Sequence, residues 1–160
     1  MKTVIAFLQG LVNIVFSARF RVEGDSMLPF LRHGESVMVV RTRFRWNRLR
    51  RGDVVVFDSP GRGGGAYIKR IVGMPGEDIK IAGGLVHLDG ESLPEDYTRG
   101  EHEEEDGEWF NGPDEYFLLG DNRAGSNDSR AFGPVSGGSI RGRAWFRCWP
   151  PSRWRPMGRD

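Results

Sequence analysis

The stretch from Asp78 to Pro94 reads DIKIAGGLVHLDGESLP, and it decides the fold class. Apolar and polar residues alternate on either side of two turn dipeptides, Gly83-Gly84 and Asp89-Gly90. Such dipeptides admit the positive φ that tight hairpins require, so two successive hairpins are expected here. Working outward, Glu35–Val40 (ESVMVV), Asp53–Asp58 (DVVVFD), Tyr67–Val72 (YIKRIV), Tyr116–Gly120 (YFLLG) and Ala144–Phe146 are short runs rich in β-branched or aromatic residues. Glycine or proline punctuates most of them: His33-Gly34, Arg51-Gly52, Pro60-Gly61 and Met74-Pro75-Gly76. With 23 glycines and 9 prolines in 160 residues, the composition predicts a mainly β fold of short antiparallel strands, not a helix bundle.

A chain of this length supports one compact unit with its own core. Its 23 basic and 22 acidic residues nearly cancel, so bulk charge gives no basis for capturing nucleic acid. Twenty of the basic residues are arginine; the lysines are Lys2, Lys69 and Lys80 only. A single cysteine, Cys148, and three scattered histidines, His33, His87 and His102, give neither a disulfide framework nor zinc-type spacing, and no metal or other cofactor is expected.

Three segments stand apart from the β pattern. Thr3–Phe16 (TVIAFLQGLVNIVF) is apolar, with Lys2 before it and Arg19 and Arg21 after it. It is short against the roughly 20 residues of a spanning helix, and it is read as a helix over Thr3–Ala18 that anchors the chain at a membrane or lies in its interface. Arg41–Arg51 (RTRFRWNRLRR) interleaves six arginines with Phe44, Trp46 and Leu49. Solvation or contact with lipid headgroups is preferred here over nucleic acid. Glu101–Glu108 (EHEEEDGE) is read as a solvated loop, because like charges at this density resist packing. The resulting division is 1–19 anchor, 20–149 β domain and 150–160 loose basic tail.

Three places carry candidate chemistry. Ser26 lies in Gly24-Asp25-Ser26-Met27-Leu28-Pro29, where it is either a turn residue or a nucleophile. Lys69 sits within an apolar strand, where burial would lower its pKa and make it a base; alternation leaves open whether Lys69 or Arg70 points inward. Gly120–Arg130 (GDNRAGSNDSR) packs two Asp, two Asn, two Ser and two Arg into eleven residues, enough to lock a loop through Arg–carboxylate pairs and present a hydroxyl. No G-x-S-x-G elbow is present.

Taken together and in order, Ser26-Met27-Leu28-Pro29 with Leu31, Arg51-Gly52-Asp53-Val54, Lys69–Glu77, and Gly120–Arg130 followed by Gly133, Ile140 and Gly142 resemble the boxes of bacterial type I signal peptidases. The resemblance spans roughly Arg21–Ala144. It implies a signal-peptidase-like, repressor-cleavage-type β fold and a single-pass protein of the cytoplasmic membrane, its catalytic domain on the extracytoplasmic face. The implied reaction is cleavage of exported preproteins at Ala-x-Ala-type sites, with preproteins and membrane lipid as partners. By the same resemblance Ser26 is the nucleophile, Lys69 the general base, Ser126 the hydroxyl that orients the lysine, and Asp128–Arg130 a loop salt bridge. Phe20, Val22, Met27, Leu31, Tyr67 and Ile68 fall at the substrate-pocket positions. The chain departs from the family pattern at Gly24, where many members have a serine, and at Phe30, where threonine is usual. A self-cleaving repressor-type or dedicated maturation Ser-Lys protease and a non-enzymatic membrane-attached basic adaptor are the alternative readings. If the dyad is right, Ser26 and Lys69 meet within roughly 2.6 to 3.2 Å.

Overall fold

The computed structural model describes residue 12 and residues 15–41, 48–60, 64–98 and 106–157. Among the described residues, twelve strands form two antiparallel sheets. In chain order they are β1 (Ser17–Arg21), β2 (Ser36–Val40), β3 (Val54–Asp58), β4 (Ala66–Gly73), β5 (Asp78–Ala82), β6 (Leu85–Leu88), β7 (Glu91–Ser92), β8 (Gly107–Phe110), β9 (Glu115–Leu119), β10 (Val135–Ser136), β11 (Ile140–Trp149) and β12 (Arg155–Pro156). The larger sheet runs β1-β2-β11-β3-β4-β9-β10, with β12 paired to β11, and the smaller runs β7-β6-β5-β8. A one-turn helix, α1 (Ser129–Phe132), follows β9.

The expected pair of hairpins is β5-β6-β7. Gly83 and Gly84 take φ of 56° and 76°, and Asp89 and Gly90 take 49° and 86°. Strand β3 shows why DVVVFD reads as an unbroken apolar run. Val54 and Val56 enter one core cluster with Val22, Met27, Leu31 and Ile68, while Val55 and Phe57 enter another with Ile71, Leu118 and Ile140. A strand covered on both faces has no solvent side to mark with polar residues. A third cluster joins the sheets: Val72, Phe117 and Leu119 pack against Ile79, Ile81, Val86 and Leu88. Gly73 sits at that junction, where an added Cβ would lie 2.9 Å from both Ile79 Cγ1 and Phe117 Cβ.

Four expectations are corrected. Ser17 and Ala18, assigned to an N-terminal helix, pair as strand with Val40 and Val39, because Ala18 and Phe20 continue the alternation of β1. Most of Thr3–Phe16 lies outside the described residues, and among the described residues no helix is long and apolar enough to cross a membrane. Of the acidic block, residues 101–105 lie outside the description, but Gly107 and Glu108 belong to β8. Glu108 points outward to Lys80 at 2.6 Å while Trp109 packs on Phe117, so a strand begins inside the segment read as loop. The basic tail is not loose. A turn at Pro151–Arg153 leads into β12, Arg153 reaches Glu35 at 2.5 Å, and Met157 is buried in the core with Val37 and Ala144. In the arginine block residues 42–47 lie outside the description; Leu49 packs on the core, and Arg51 bonds the Val72 carbonyl at 2.5 Å and Glu77 at 2.6 Å, a role in holding the fold.

Candidate active site

Ser26 lies on the loop between β1 and β2. Met27 and Leu31, both fully buried, pin that loop to the core, and the Leu31 N–H closes a turn on the Met27 carbonyl at 2.8 Å. Gly24 turns the chain with φ of 78°, and its N–H donates to His33 Nδ1 at 3.0 Å, tying the two ends of the loop together. With its backbone held from below, Ser26 presents its hydroxyl at the surface of the core.

Lys69 comes from β4, which lies between β3 and β9. The question of which neighbour points inward has a two-sided answer: Lys69 and Arg70 are both buried, at 4% and 8% exposure, because both faces of β4 are covered. Each is accommodated differently. Arg70 makes a bidentate pair with Asp121, at 2.8 and 2.6 Å, and its guanidinium lies between the rings of Phe30 and Tyr97, 4.8 and 4.4 Å from their centroids. Lys69 has no carboxylate in contact. Its Nζ donates to Ser26 Oγ at 2.8 Å and to the Ile68 carbonyl at 3.1 Å. Burial pulls the Lys69 ammonium from 10.5 down to about 8, against the opposing pull of Asp128 and Asp121. At pH 7 about a tenth of such lysines are neutral, against less than about 0.1% for an ordinary lysine.

The Gly120–Arg130 loop docks directly on the serine. The Asn122 N–H donates to the Ser26 carbonyl at 3.0 Å, and Asn122 Nδ2 to the Asp25 carbonyl at 3.2 Å. Gly120 is required by this approach: a Cβ there would lie 2.2 Å from Ser126 Oγ and 2.5 Å from the Ser26 carbonyl. Arg130 grips Asp128 through Nε and NH2 at 2.8 and 3.0 Å and also reaches the Arg123 carbonyl at 2.7 Å; Asp128 in turn accepts the Gly120 N–H at 3.0 Å. A second latch joins Arg123 to Glu95, which also accepts the Tyr97 hydroxyl at 2.6 Å. Ser126 Oγ is buried beside Gly120 and has no hydrogen-bond partner.

A cavity of about 300 Å³ opens over the serine and the lysine, lined by Phe20, Ser26, Ala66, Tyr67, Ile68 and Lys69, with Arg21, Glu23 and Arg141 also at its wall. Three of the residues assigned to the substrate pocket therefore border this cavity: Phe20, Tyr67 and Ile68. The other three, Val22, Met27 and Leu31, do not; at 1%, 0% and 0% exposure they form the floor beneath the loop. Sequence reasoning missed Gly120, Asn122, the Arg70–Asp121 pair, His33 and Arg141. Of these, Gly120 and Asn122 stood inside the polar run already singled out, while nothing in the sequence connected His33 to Gly24.

A serine hydroxyl in contact with a buried amine, on a mainly antiparallel β scaffold, is an arrangement in which an amine can take the part that histidine plays in other serine hydrolases. The model of the family described as signal peptidase, peptidase S26, matches residues 1–149. A signal peptidase I of Leptolyngbya laminosa is 34% identical over 157 residues, covering 93% of this chain and 76% of that protein. A probable signal peptidase I-1 of Synechocystis sp. is 34% identical over 163 residues, covering 96% and 83%, and a signal peptidase IB of Staphylococcus aureus is 30% identical over 154 residues, covering 85% and 80%. The crystal structure of a signal peptidase I from Enterococcus faecalis matches with a TM-score of 0.54 at 33% identity, over 60% of this chain and 96% of that one. The chain belongs to the signal peptidase family, peptidase S26, and is an enzyme of the hydrolase class. Its likeness to signal peptidase I over most of its length sets aside the repressor-type and adaptor readings.

Proposed function

We propose that this chain is an endopeptidase that removes N-terminal signal peptides from exported preproteins by a Ser26–Lys69 dyad. The observation that carries the reading is the 2.8 Å contact between Ser26 Oγ and the Nζ of a buried lysine with no carboxylate in contact. Neutral Lys69 takes the Ser26 proton as Oγ attacks the scissile carbonyl carbon. The Ser26 backbone N–H stabilises the oxyanion; Gly24 has no hydroxyl to add, and its N–H is committed to His33. The Lys69 ammonium then protonates the leaving amine, the C–N bond breaks, and an ester to Ser26 remains. Water attacks that ester with Lys69 again as base, releasing the signal peptide's carboxylate and free Ser26. Nucleophile and base both come from the chain, so the chemistry calls for no cofactor. Ser126, whose Oγ is buried without a hydrogen-bond partner beside Gly120, keeps the role of a hydroxyl that orients the lysine in this reading.

The cavity over the dyad, walled by Phe20, Tyr67 and Ile68, suits an extended backbone bearing small side chains, in keeping with Ala-x-Ala-type sites. The apolar Thr3–Phe16 run and the family membership support action at the cytoplasmic membrane, with the β domain on its outer face. The test is cleavage of a preprotein by the detergent-solubilised protein, with the new N-terminus sequenced. Ser26→Ala and Lys69→Arg abolish cleavage, since a guanidinium stays protonated. The kcat/KM profile rises with pH through about 8, as Lys69 loses its proton. A limb near 6.5 that vanishes on replacing His33 or His87, or cleavage surviving Ser26→Ala, overturns the dyad.

A further inference from the structure

A second and larger cavity, about 700 Å³, lies beside the first, and the two share Phe20 and Arg141 as common wall. Its wall is largely apolar, from Val15 and Phe16 at the end of the N-terminal apolar run and from Ala18, Val39 and Val56, but Arg19 and Arg41 border it together with Arg141. Arg141 reaches this place through a local irregularity in β11. Ile140 pairs with Phe57 and Gly142 with Val56, so Arg141 is an extra residue opposite β3, and a bulge of this kind re-aims a side chain. Gly142 makes the bulge fit, since a Cβ there would lie 2.5 Å from the Val40 carbonyl oxygen. The re-aimed guanidinium is half exposed, at 52%, and is held by Asp58, itself 55% exposed, through Nε at 2.7 Å and NH2 at 2.5 Å. Asp58 balances one of the three arginines at this mouth. The serine end is bordered by one residue of each sign, Arg21 and Glu23.

We infer that Arg141 is a specificity-determining residue, which favours substrates carrying an acidic side chain four to six residues before the scissile bond and disfavours a basic one there. This rests on the signal-peptidase reading, which places Phe20 at the pocket for the substrate's upstream small side chain. From Phe20 back to Ser17 strand β1 covers about 10 Å, the length of about three extended residues. The upstream segment of a bound peptide thus runs over the larger cavity, beneath Arg141, where a carboxylate exchanges with Asp58 for the guanidinium and meets the field of Arg19 and Arg41.

The experiment uses three peptides that share an Ala-x-Ala site and differ only in carrying Asp, Gln or Lys at the fifth residue before the cut. Cleavage by the full chain gives kcat/KM, and affinity for the Ser26→Ala protein gives binding without turnover. Both rank Asp over Gln over Lys, with about a tenfold span between the extremes at low salt. Arg141→Ala reduces the Asp-to-Lys ratio at least threefold, Arg141→Glu inverts it, and Asp58→Asn raises it. Equal values for the three peptides, or a ratio untouched by both Arg141 variants, overturn the inference. Phosphatidylglycerol vesicles serve as a competitor: if they bind the wild type but not Arg141→Ala while the peptides show no charge order, the mouth takes a lipid phosphate and the inference falls. Cleavage without charge order refutes Arg141 alone, whereas charge-ordered binding with no cleavage keeps Arg141 and refutes the dyad.

Discussion

Replacing Lys69 by methionine stabilises the fold at neutral pH while removing activity. Methionine has similar length and carries no charge. Lysine 69 titrates near 8 in the folded chain and at its ordinary 10.5 when unfolded, so below pH 8 the fold holds an ammonium that water would hold better. The interval from 10.5 to about 8, at about 1.4 kcal/mol per pH unit, amounts to about 3 kcal/mol of lost stability. The sign follows from proton binding. Between pH 8 and 10.5 the unfolded chain carries the proton and the folded chain does not, so stability rises with pH across that window, and the penalty is complete below 8 and gone above 10.5. The methionine also forfeits the bonds to Ser26 Oγ and the Ile68 carbonyl, worth about 1 kcal/mol net. Lys69→Met is thus expected to be about 2 kcal/mol more stable than wild type at pH 7 and no more stable at pH 10. Urea midpoints for both proteins at pH 7, 8.5 and 10 measure this, with unchanged m values confirming a like-for-like transition. A wild type more stable than the variant at pH 7, or a difference constant across the three pH values, refutes the picture of a desolvated ammonium.

Gly120→Ala should lower kcat/KM by about a hundredfold or more while circular dichroism stays native, because the methyl pushes on Ser126 Oγ and the Ser26 carbonyl, and displacements near 1 Å at a reacting group cost that much. Ser126→Ala is expected to reduce turnover without abolishing it, whereas Ser26→Ala abolishes it; full activity in the former removes Ser126 from the mechanism. Asp121→Asn, which leaves Arg70 buried beside a neutral partner, should destabilise by about 3 kcal/mol in thermal or urea unfolding, and a loss below about 1 kcal/mol would mean the Phe30 and Tyr97 rings suffice to hold the guanidinium.

The strands easiest to read were β3, an unbroken apolar run, and the β5-β6-β7 hairpins, whose apolar and polar residues alternate between glycine turns. Strand β11 was foreseen only over Ala144–Phe146, although it runs ten residues. Its interior carries Arg143 and Arg147, which look like solvent markers but are buried, Arg147 being 3.5 Å from Glu35. A charge whose partner lies about a hundred residues away cannot be recognised as internal from its neighbours. The same holds for Glu35 itself, which receives both Arg147 and Arg153 and so ties the C-terminal segment to the fold. At the site, the order of the motifs pointed to Ser26, Lys69 and the Asp128–Arg130 pair, and the structure puts the first two in contact and the last two in a salt bridge. What the motifs left dark was the support beneath them. Phe30, set apart in the sequence as an unusual neighbour of Pro29, turns out to lie over both Arg70 and Arg147. That role depends on two strands meeting the loop from different parts of the chain.

The burial that lowers the Lys69 pKa bears on when the chain becomes dangerous to its neighbours. Ser26, Lys69 and Asn122 stand on three segments that only the finished sheet gathers together. In a chain still being made, or one partly unfolded, water restores the lysine to its ordinary basicity and leaves the serine an unactivated alcohol. Under the proposed chemistry, such a copy cannot cut anything. Proteolytic competence then appears together with the closed core and disappears with it, so that folding itself switches the proposed chemistry on.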